Sequence, residues 1–357
     1  MISCDWRMGT GRCKFRLTTN SFSPKARPMT ISIPRLIPGL LCWSLLLLTG
    51  CPQSPVESPQ RTGSYRIVTT TGMVTDLVRQ VAGSHAEVIG LMGEGIDPHL
   101  YRPTPHDSGQ IMGADVVFYS GLKLEGQMEA ALELAGKQGR PIAAVTEKLP
   151  EESIRHPEGT VGHPDPHVWH DPNLWGQCAV HVAEVLAAYD PPHAEDYRKN
   201  ALDYQAQLKE LDEFARKVLQ EIPAGQRHLV TAHDAFEYFA RTYGLSVHSV
   251  QGITTESEPG LQDTNKLVDF LVENQIPALF VESTVNPAHL RAVIEGAASR
   301  GWKVSVGGTL YSDAMGAPGT YEGTYIGMID HNVATIAREL GSQWDGAMSF
   351  KESREAK

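Results

Sequence analysis

Three histidines and one aspartate stand where predicted strands give way to loops or helices. They are His99, His167, His233 and Asp313. In open α/β sheets, binding groups gather beyond the carboxyl ends of the strands, so we expect these four side chains to share one cleft. Three neutral imidazoles and a carboxylate form a four-coordinate set that suits Zn²⁺. Each histidine taken singly is more often a capping or surface residue, and sequence spacing alone does not establish a cluster.

Other polar residues near these positions keep the choice of ligands open on composition alone. His106 and His170 each lie close to one of the candidate histidines. Asp107 and Asp171 fit helix N-caps or first-turn acids better than metal ligands. An isolated aspartate such as Asp313 is more often a turn residue.

Two blocks of alternating strand and helix patterns would position these segments. The predicted strands lie at 65–70, 86–91, 115–119 and 142–145, and then at 227–231, 246–250, 278–281 and 303–306. Helical patterns lie between the strands, with those of the second block at 234–243, 261–274, 287–299 and 322–340. This alternation predicts parallel sheets built from right-handed crossovers.

A long segment without glycine or proline, from His193 to Ile222, separates the two blocks. Its apolar residues predict one helix of about 30 residues, spanning roughly 45 Å, with two helices and a break as the alternative. We therefore predict an α/β fold of two lobes, each with a mostly parallel sheet flanked by helices, joined by one long backbone helix. The predicted parts are a first lobe at 64–190, a linking helix at 191–223, a second lobe at 224–345 and a flexible tail at 346–357.

The N-terminal segment reads as a secretory signal. Its apolar run at 37–48 follows basic residues and is shorter than the roughly 20 residues of a membrane-spanning helix. We predict a signal peptide at 1–50, with Met29 as an alternative start that would leave 1–28 untranslated.

The signal segment ends in Leu-Thr-Gly-Cys, which resembles the bacterial lipobox. That resemblance implies lipidation of Cys51, followed by a tether at 51–63. A buried cysteine at the end of an apolar helix is the alternative. An extracytoplasmic protein anchored at the cell envelope by lipid alone is the expectation.

Composition limits the partners of the mature chain. The sequence is 41% hydrophobic and 20% charged, which is ordinary for a soluble protein. Removal of residues 1–50, which carry seven Lys or Arg and one Asp, changes the formal net charge from −11 to −17. This balance disfavours nucleic acid and suits cations. Cys51 and Cys178 are the cysteines that survive cleavage, so no structural disulfide is expected.

Five motifs resemble the signature loops of the solute-binding proteins of metal ABC importers, the TroA/ZnuA-like family. They are Pro-His-x-Tyr-x-Pro-Thr-Pro (98–105), Asp-Pro-His-x-Trp (165–169), Thr-x-His-Asp-Ala-Phe-x-Tyr-Phe (231–239), Gln-Gly-Ile-x-Thr-Glu-Ser-Glu-Pro (251–259) and Leu-Tyr-Ser-Asp-Ala-Met-Gly (310–316). The resemblance spans roughly residues 65 to 342. It includes the lipobox.

The resemblance implies both a ligand set and a function. By similarity, His99, His167, His233 and Asp313 stand at the family's metal-ligand positions. The cargo would be Zn²⁺ or Mn²⁺, held between the lobes and passed to a permease powered by an ATPase. The protein would be a monomeric carrier and not an enzyme, and an adhesin role beside transport is left open.

The identity of the metal is argued from two features. Manganese-dedicated relatives commonly have a carboxylate where this chain has His233, and imidazole suits zinc better than manganese. The short segment at 156–163 replaces the long histidine-rich loop that zinc-dedicated members often carry. This difference argues against zinc and towards manganese. Zinc is favoured.

Two alternative functions belong to other classes. A zinc hydrolase would keep an open water position on the metal, and no His-Glu-x-x-His or Gly-x-Ser-x-Gly motif occurs. A binding protein for an organic metal chelate would present aromatic and arginine side chains in its cleft.

Overall fold

The computed structural model describes residues 64–157 and 162–355. The predicted signal peptide, the tether and Cys51 lie outside these residues. Within the described ranges, no helix is both long enough and apolar enough to cross a membrane.

The first lobe contains four strands: β1 (Tyr65–Thr69), β2 (Ala86–Gly90), β3 (Val116–Tyr119) and β4 (Ile142–Ala144). They form one sheet in the order β2-β1-β3-β4, and every neighbouring pair is parallel, as predicted. β-Branched and aromatic residues dominate β1 and β3, as in sheets covered on both faces. The carboxyl ends of these strands therefore meet at one edge of the sheet.

Four helices cover this sheet: α1 (Gly72–Ala82), α2 (Pro105–Gly113), α3 (Glu129–Lys137) and α4 (Pro172–Tyr189). Ile67 faces the core formed with α1 and α4, and its neighbour Val68 faces the core formed with α2 and α3. Thr104 and Asp107 form a capping box that begins α2, and Asp171 caps α4. The predicted capping roles of Asp107 and Asp171 are confirmed.

One long helix, α5 (Ala194–Gln220), links the two lobes. It has 27 residues, which confirms the prediction of a single helix at 193–222 apart from its ends and makes the two-helix alternative wrong. Its buried side packs against α4 and contacts α1. Burial at spacings of three and four residues, as at Leu208, Leu211 and Ala215, explains why the segment is one amphipathic helix.

The second lobe repeats the alternation with β5 (His228–His233), β6 (Ser246–Gln251), β7 (Ala278–Glu282) and β8 (Ser305–Leu310). β5 pairs with β6 and β7 pairs with β8, all parallel, and β7 lies beside β5. The helices are α6 (Glu237–Tyr243), α7 (Leu261–Glu273), α8 (Ala288–Ser299), α9 (Tyr325–Glu339) and α10 (Phe350–Glu355). The predicted fold class is confirmed, while the exact bounds of the lobes stay predictions.

Two predicted segments differ from the structure. The last strand was expected at 303–306, with Gly307 and Gly308 in the loop after it, but β8 runs through both glycines. A Cβ at Gly308 would lie 2.7 Å from a methyl group of Thr335 in α9, and Gly308 has a φ of 156°. The glycines therefore allow α9 to approach the strand closely, and they do not mark a loop.

The tail at 346–357, for which we predict flexibility, contains the helix α10 in its described part. Phe350, at the start of α10, is buried and packs near Phe214 of α5, with ring centroids 5.7 Å apart. The buried carboxylate of Asp330 accepts hydrogen bonds from the backbone N–H groups of Phe350 and Lys351. These contacts hold α10 against α9.

The largest core cluster joins both lobes. It includes buried residues of α1, α4 and β1, the inner face of α5, and buried residues of α6 and α9. A shared core of this kind resists large hinge motions, because apolar surface would have to be exposed to water.

Leu211→Ala tests the role of this shared core. Leu211 is fully buried on α5, so the substitution should lower the free energy of unfolding by about 2–5 kcal/mol. Leu202→Ala is the matched control on the same helix, because Leu202 is 62% exposed and should change stability by less than about 0.5 kcal/mol. Urea denaturation measures both, and equal effects would contradict the burial pattern.

Candidate metal centre

The four candidate ligands approach one another between the lobes. His99 lies in the loop between β2 and α2, and His167 directly precedes a short 3₁₀ turn at Val168–His170. His233 is the last residue of β5, and Asp313 follows β8 by three residues. All four are buried: His99 is 5% exposed, Asp313 1%, and the other two are inaccessible.

The imidazole nitrogens surround the carboxylate of Asp313. The Nε2 atom of His233 lies 3.1 Å from Oδ2, and the Nε2 atom of His167 lies 3.4 Å from Oδ1. The Nε2 atom of His99 lies 3.7 Å from Oδ2 and 3.3 Å from the Nε2 atom of His167. One ligand atom from each of the four residues lies within 4.8 Å of every other.

These separations fit a small cation. Tetrahedral coordination with metal–nitrogen distances of about 2.0–2.1 Å places neighbouring ligand atoms about 3.3–3.4 Å apart. The Nε2 atom of His233 and both oxygens of Asp313 are buried without a hydrogen-bond partner among the described residues, although they lie close together. Buried polar atoms without partners are costly, and a metal ion would satisfy all three at once.

Two of the imidazoles are oriented by carboxylates on their other ring nitrogen. The Nδ1 atom of His167 is 2.8 Å from Oδ1 of Asp165, and the Nδ1 atom of His233 contacts Oε2 of Glu282. Glu282 also accepts hydrogen bonds from the backbone N–H groups of Ala232 and His233, each at 2.8 Å. With Nδ1 engaged in this way, Nε2 of each ring is left to face Asp313.

Neighbouring groups shift the pKa values of the four side chains in opposite directions. Burial lowers the pKa of His99 to about 3, so this imidazole stays neutral. Burial also opposes the charge on His167, but Asp165 and Asp313 outweigh it and raise its pKa to about 9. For His233, Glu282 and Asp313 likewise outweigh burial and raise the pKa well above the usual value. Burial disfavours the charge on Asp313, but His233 and His167 hold its pKa well below the usual range.

His106 and His170 lie outside this cluster. His106 is exposed on α2, where its Nε2 atom is 3.2 Å from the side-chain nitrogen of Gln110. His170 is fully buried, but its ring lies against Phe236, with centroids 4.5 Å apart. The structure therefore groups His99, His167 and His233 with Asp313 and excludes the neighbouring histidines.

Sequence reasoning missed Glu282 and did not assign Asp165 a role. Glu282 ends β7, next to the strand that ends in His233, so a search of all strand ends for carboxylates would have found it. Asp165 lies two residues before His167 inside a recognised motif, and its side chain also accepts a hydrogen bond from the His167 backbone.

The chain resembles known proteins over nearly all of its described length. The model of the family described as ZnuA, "Zinc-uptake complex component A periplasmic", matches residues 67–339. The chain is 45% identical over 294 residues to the manganese-binding lipoprotein MntA of Bacillus subtilis (strain 168), which covers 82% of this chain and 95% of the relative. It is 29% identical over 308 residues to the manganese ABC transporter substrate-binding lipoprotein PsaA of Streptococcus anginosus. This match covers 84% of this chain and 97% of the relative.

A solved structure has the same architecture. The periplasmic zinc binding protein TroA from Treponema pallidum matches with a TM-score of 0.75 and 40% sequence identity. The match covers 78% of this chain and 99% of that chain.

Metal binding at this cluster should release protons at neutral pH. At pH 7 a pKa of about 9 keeps His167 protonated, and the pKa of His233 is shifted in the same direction, whereas coordination requires both imidazoles to be neutral. Competition by protons is therefore present below a pH of about 9 and increases as the pH falls. His167 alone predicts a loss of Zn²⁺ affinity of about tenfold per pH unit in this range.

Calorimetric titration with Zn²⁺ at pH 7, in buffers of different ionisation enthalpy, counts the released protons. We expect about one proton or more per bound ion. Titrations should also show that Zn²⁺ binds more weakly at pH 6 than at pH 7.5. Binding without proton release would contradict the protonation states described above.

Proposed function

Because the chain belongs to the family of periplasmic zinc-uptake complex component A proteins, we propose that it captures a divalent transition metal outside the cytoplasm and delivers it to the permease of an ABC importer. The observation that carries this proposal is the convergence of His99, His167, His233 and Asp313, whose ligand atoms lie within 4.8 Å of one another. The metal is the transported cargo. The four side chains are its ligands.

The composition of the centre favours carriage over catalysis. Four protein residues converge, whereas a catalytic zinc keeps three protein ligands and an open position for water. Both oxygens of Asp313 face imidazoles, so the carboxylate can fill two positions on the metal. A coordination sphere filled by protein ligands holds a transported ion but leaves no open position on the metal for a reacting water, so the protein is proposed not to be an enzyme.

The proposed ligand set favours zinc, with manganese next. Three imidazoles match the preference of zinc for nitrogen ligands, whereas manganese prefers sites richer in oxygen. Among the relatives, MntA and PsaA are named for manganese and TroA for zinc, so family membership alone does not select the ion. Competitive titration of the purified protein with Zn²⁺ and Mn²⁺ tests the preference, and tighter binding of Mn²⁺ would contradict it.

The proposed location follows from the lipobox and from the relatives. MntA and PsaA are named lipoproteins, and the chain carries Leu-Thr-Gly-Cys at the end of its signal-like segment. We infer that Cys51 carries the lipid that anchors a monomeric carrier at the extracytoplasmic face, where it meets the permease and, through the permease, the ATPase. The acidic mature chain suits the approach of cations.

His233→Ala tests the proposed metal site. Losing a carboxylate that only orients a ligand typically costs about 10–100-fold in metal affinity, so losing the ligand itself should cost more than about a hundredfold. His170→Ala removes an equally buried imidazole and is the matched control. Zn²⁺ titration with a competing chelator measures both, and thermal unfolding verifies that each variant is folded. The opposite ranking of the two variants would exclude this ligand set.

Cys51→Ala tests the proposed anchor. The wild-type protein expressed with its signal segment should enter the membrane fraction and take up labelled fatty acid, because acyl chains bury methylenes at about 0.8 kcal/mol each. The variant should do neither. Wild-type protein that is recovered soluble and unlabelled would contradict the anchor while leaving the metal site untouched.

A further inference from the structure

His99 is held differently from the other two imidazoles. Carboxylates from their own lobes contact the Nδ1 atoms of His167 and His233. The position of His99 is fixed through its backbone instead, because its N–H donates a hydrogen bond to Oδ1 of Asp97 at 2.9 Å. The placement of this ligand therefore depends on where the Asp97 carboxylate is held.

The second oxygen of Asp97 is bound from the opposite lobe. The hydroxyl of Thr255 donates a hydrogen bond to Oδ2 of Asp97 at 2.6 Å. Asp97 belongs to the loop after β2, whereas Thr255 lies in the loop after β6. This loop carries the Gln-Gly-Ile-x-Thr motif, whose side chains have no assigned part in the ligand set.

The Thr255 loop is itself anchored next to a ligand. Gln251, the last residue of β6, pairs in register with His233 of β5. The buried side-chain amide of Gln251 donates hydrogen bonds to the carbonyl oxygens of Thr255, at 3.1 Å, and Ser257, at 2.7 Å. The backbone of Thr255 is therefore held by a residue that pairs with His233. The position of the Thr255 hydroxyl is coupled in this way to the part of the centre that the second lobe supplies.

His99 also faces the side from which the centre can be reached. A cavity of about 860 Å³ is lined by His99 together with Ile253, Thr254 and Glu256, the residues that flank Thr255. His167 and His233 are inaccessible to solvent, whereas His99 retains 5% exposure. An ion that leaves through this cavity must pass His99 and the Thr255 loop.

We propose that Thr255, acting through Asp97, is a positioning residue that holds His99 against the metal and slows release of the ion. This inference rests on the proposed function, since it needs a metal bound by His99. The contact joins Asp97, which holds the backbone of His99, to a loop of the other lobe. Breaking it should loosen His99 on the side that faces the cavity.

The alternative is that the hydrogen bond between Thr255 and Asp97 only stabilises the contact between the lobes. Such a bond would contribute to stability without changing how fast the ion leaves. Release kinetics, and not the free energy of unfolding, therefore decide between the two roles.

The test uses Zn²⁺-loaded protein mixed rapidly with excess chelator, which gives the dissociation rate. Thr255→Val removes the hydroxyl and keeps the side-chain shape, and we expect dissociation to become about tenfold faster, the scale of a hydrogen bond to a charged group. Association should change by less than about twofold. Thr255→Ser keeps the hydroxyl and should restore the wild-type rate.

Two comparisons show whether the effect passes through Asp97. Thr254→Val is the control in the same loop, because the Thr254 hydroxyl accepts a hydrogen bond from the backbone of Glu256. In an Asp97→Ala background, Thr255→Val should add little further acceleration, since the acceptor is already gone.

Each outcome has one meaning. Wild-type dissociation in Thr255→Val, or equal acceleration in Thr254→Val, would overturn the inference while leaving the metal site intact. Fully additive effects of Thr255→Val and Asp97→Ala would also overturn it. Wild-type protein that binds no Zn²⁺ would instead refute the proposed function, and the inference with it.

Discussion

The structure depends on one buried carboxylate surrounded by imidazoles. Asp313 is almost inaccessible to water, and an ionised carboxylate in such a place needs positive charge beside it. In the metal-free chain that charge is supplied by protons, because the pKa values of His167 and His233 are raised. A divalent metal can take the place of these protons and satisfy the same oxygens. The raised pKa values and the facing carboxylate therefore favour an exchange of protons for a cation at this centre.

The fold brings these groups together through the geometry of parallel strands. His233 and Glu282 end adjacent strands of the second lobe, and the loop carrying His99 follows a strand of the first. Since the helix α5 and the shared core join the lobes, the two halves of the candidate ligand set are held close to each other. The shared core disfavours large movements of the lobes, and the hydrogen bond between Thr255 and Asp97 links a loop of each lobe beside the cavity that His99 lines.

Much of this arrangement could be predicted from the sequence, because the periodicity of apolar residues and the placement of cap residues reflect interactions between neighbours in the chain. The alternation of strands and helices, the single long helix and the capping roles of Asp107 and Asp171 depend on neighbouring residues and were predicted correctly. The four candidate ligands were singled out by their places after predicted strands and by motifs that resemble those of a known family. A search of strand ends can mark Glu282 as a candidate, but its pairing with His233 depends on a residue remote in sequence. The course of β8 through Gly308 and the Thr255 contact depend on remote residues in the same way, and local patterns contain no information about such pairs.

A crystal structure of the zinc-loaded protein, with anomalous diffraction recorded at the zinc edge, tests the central claim most directly. One strong anomalous peak should lie among the Nε2 atoms of His99, His167 and His233 at about 2.0–2.1 Å from each, with the Asp313 carboxylate completing the coordination sphere. A peak elsewhere, or one that leaves any of these four side chains outside coordinating distance, would contradict the account.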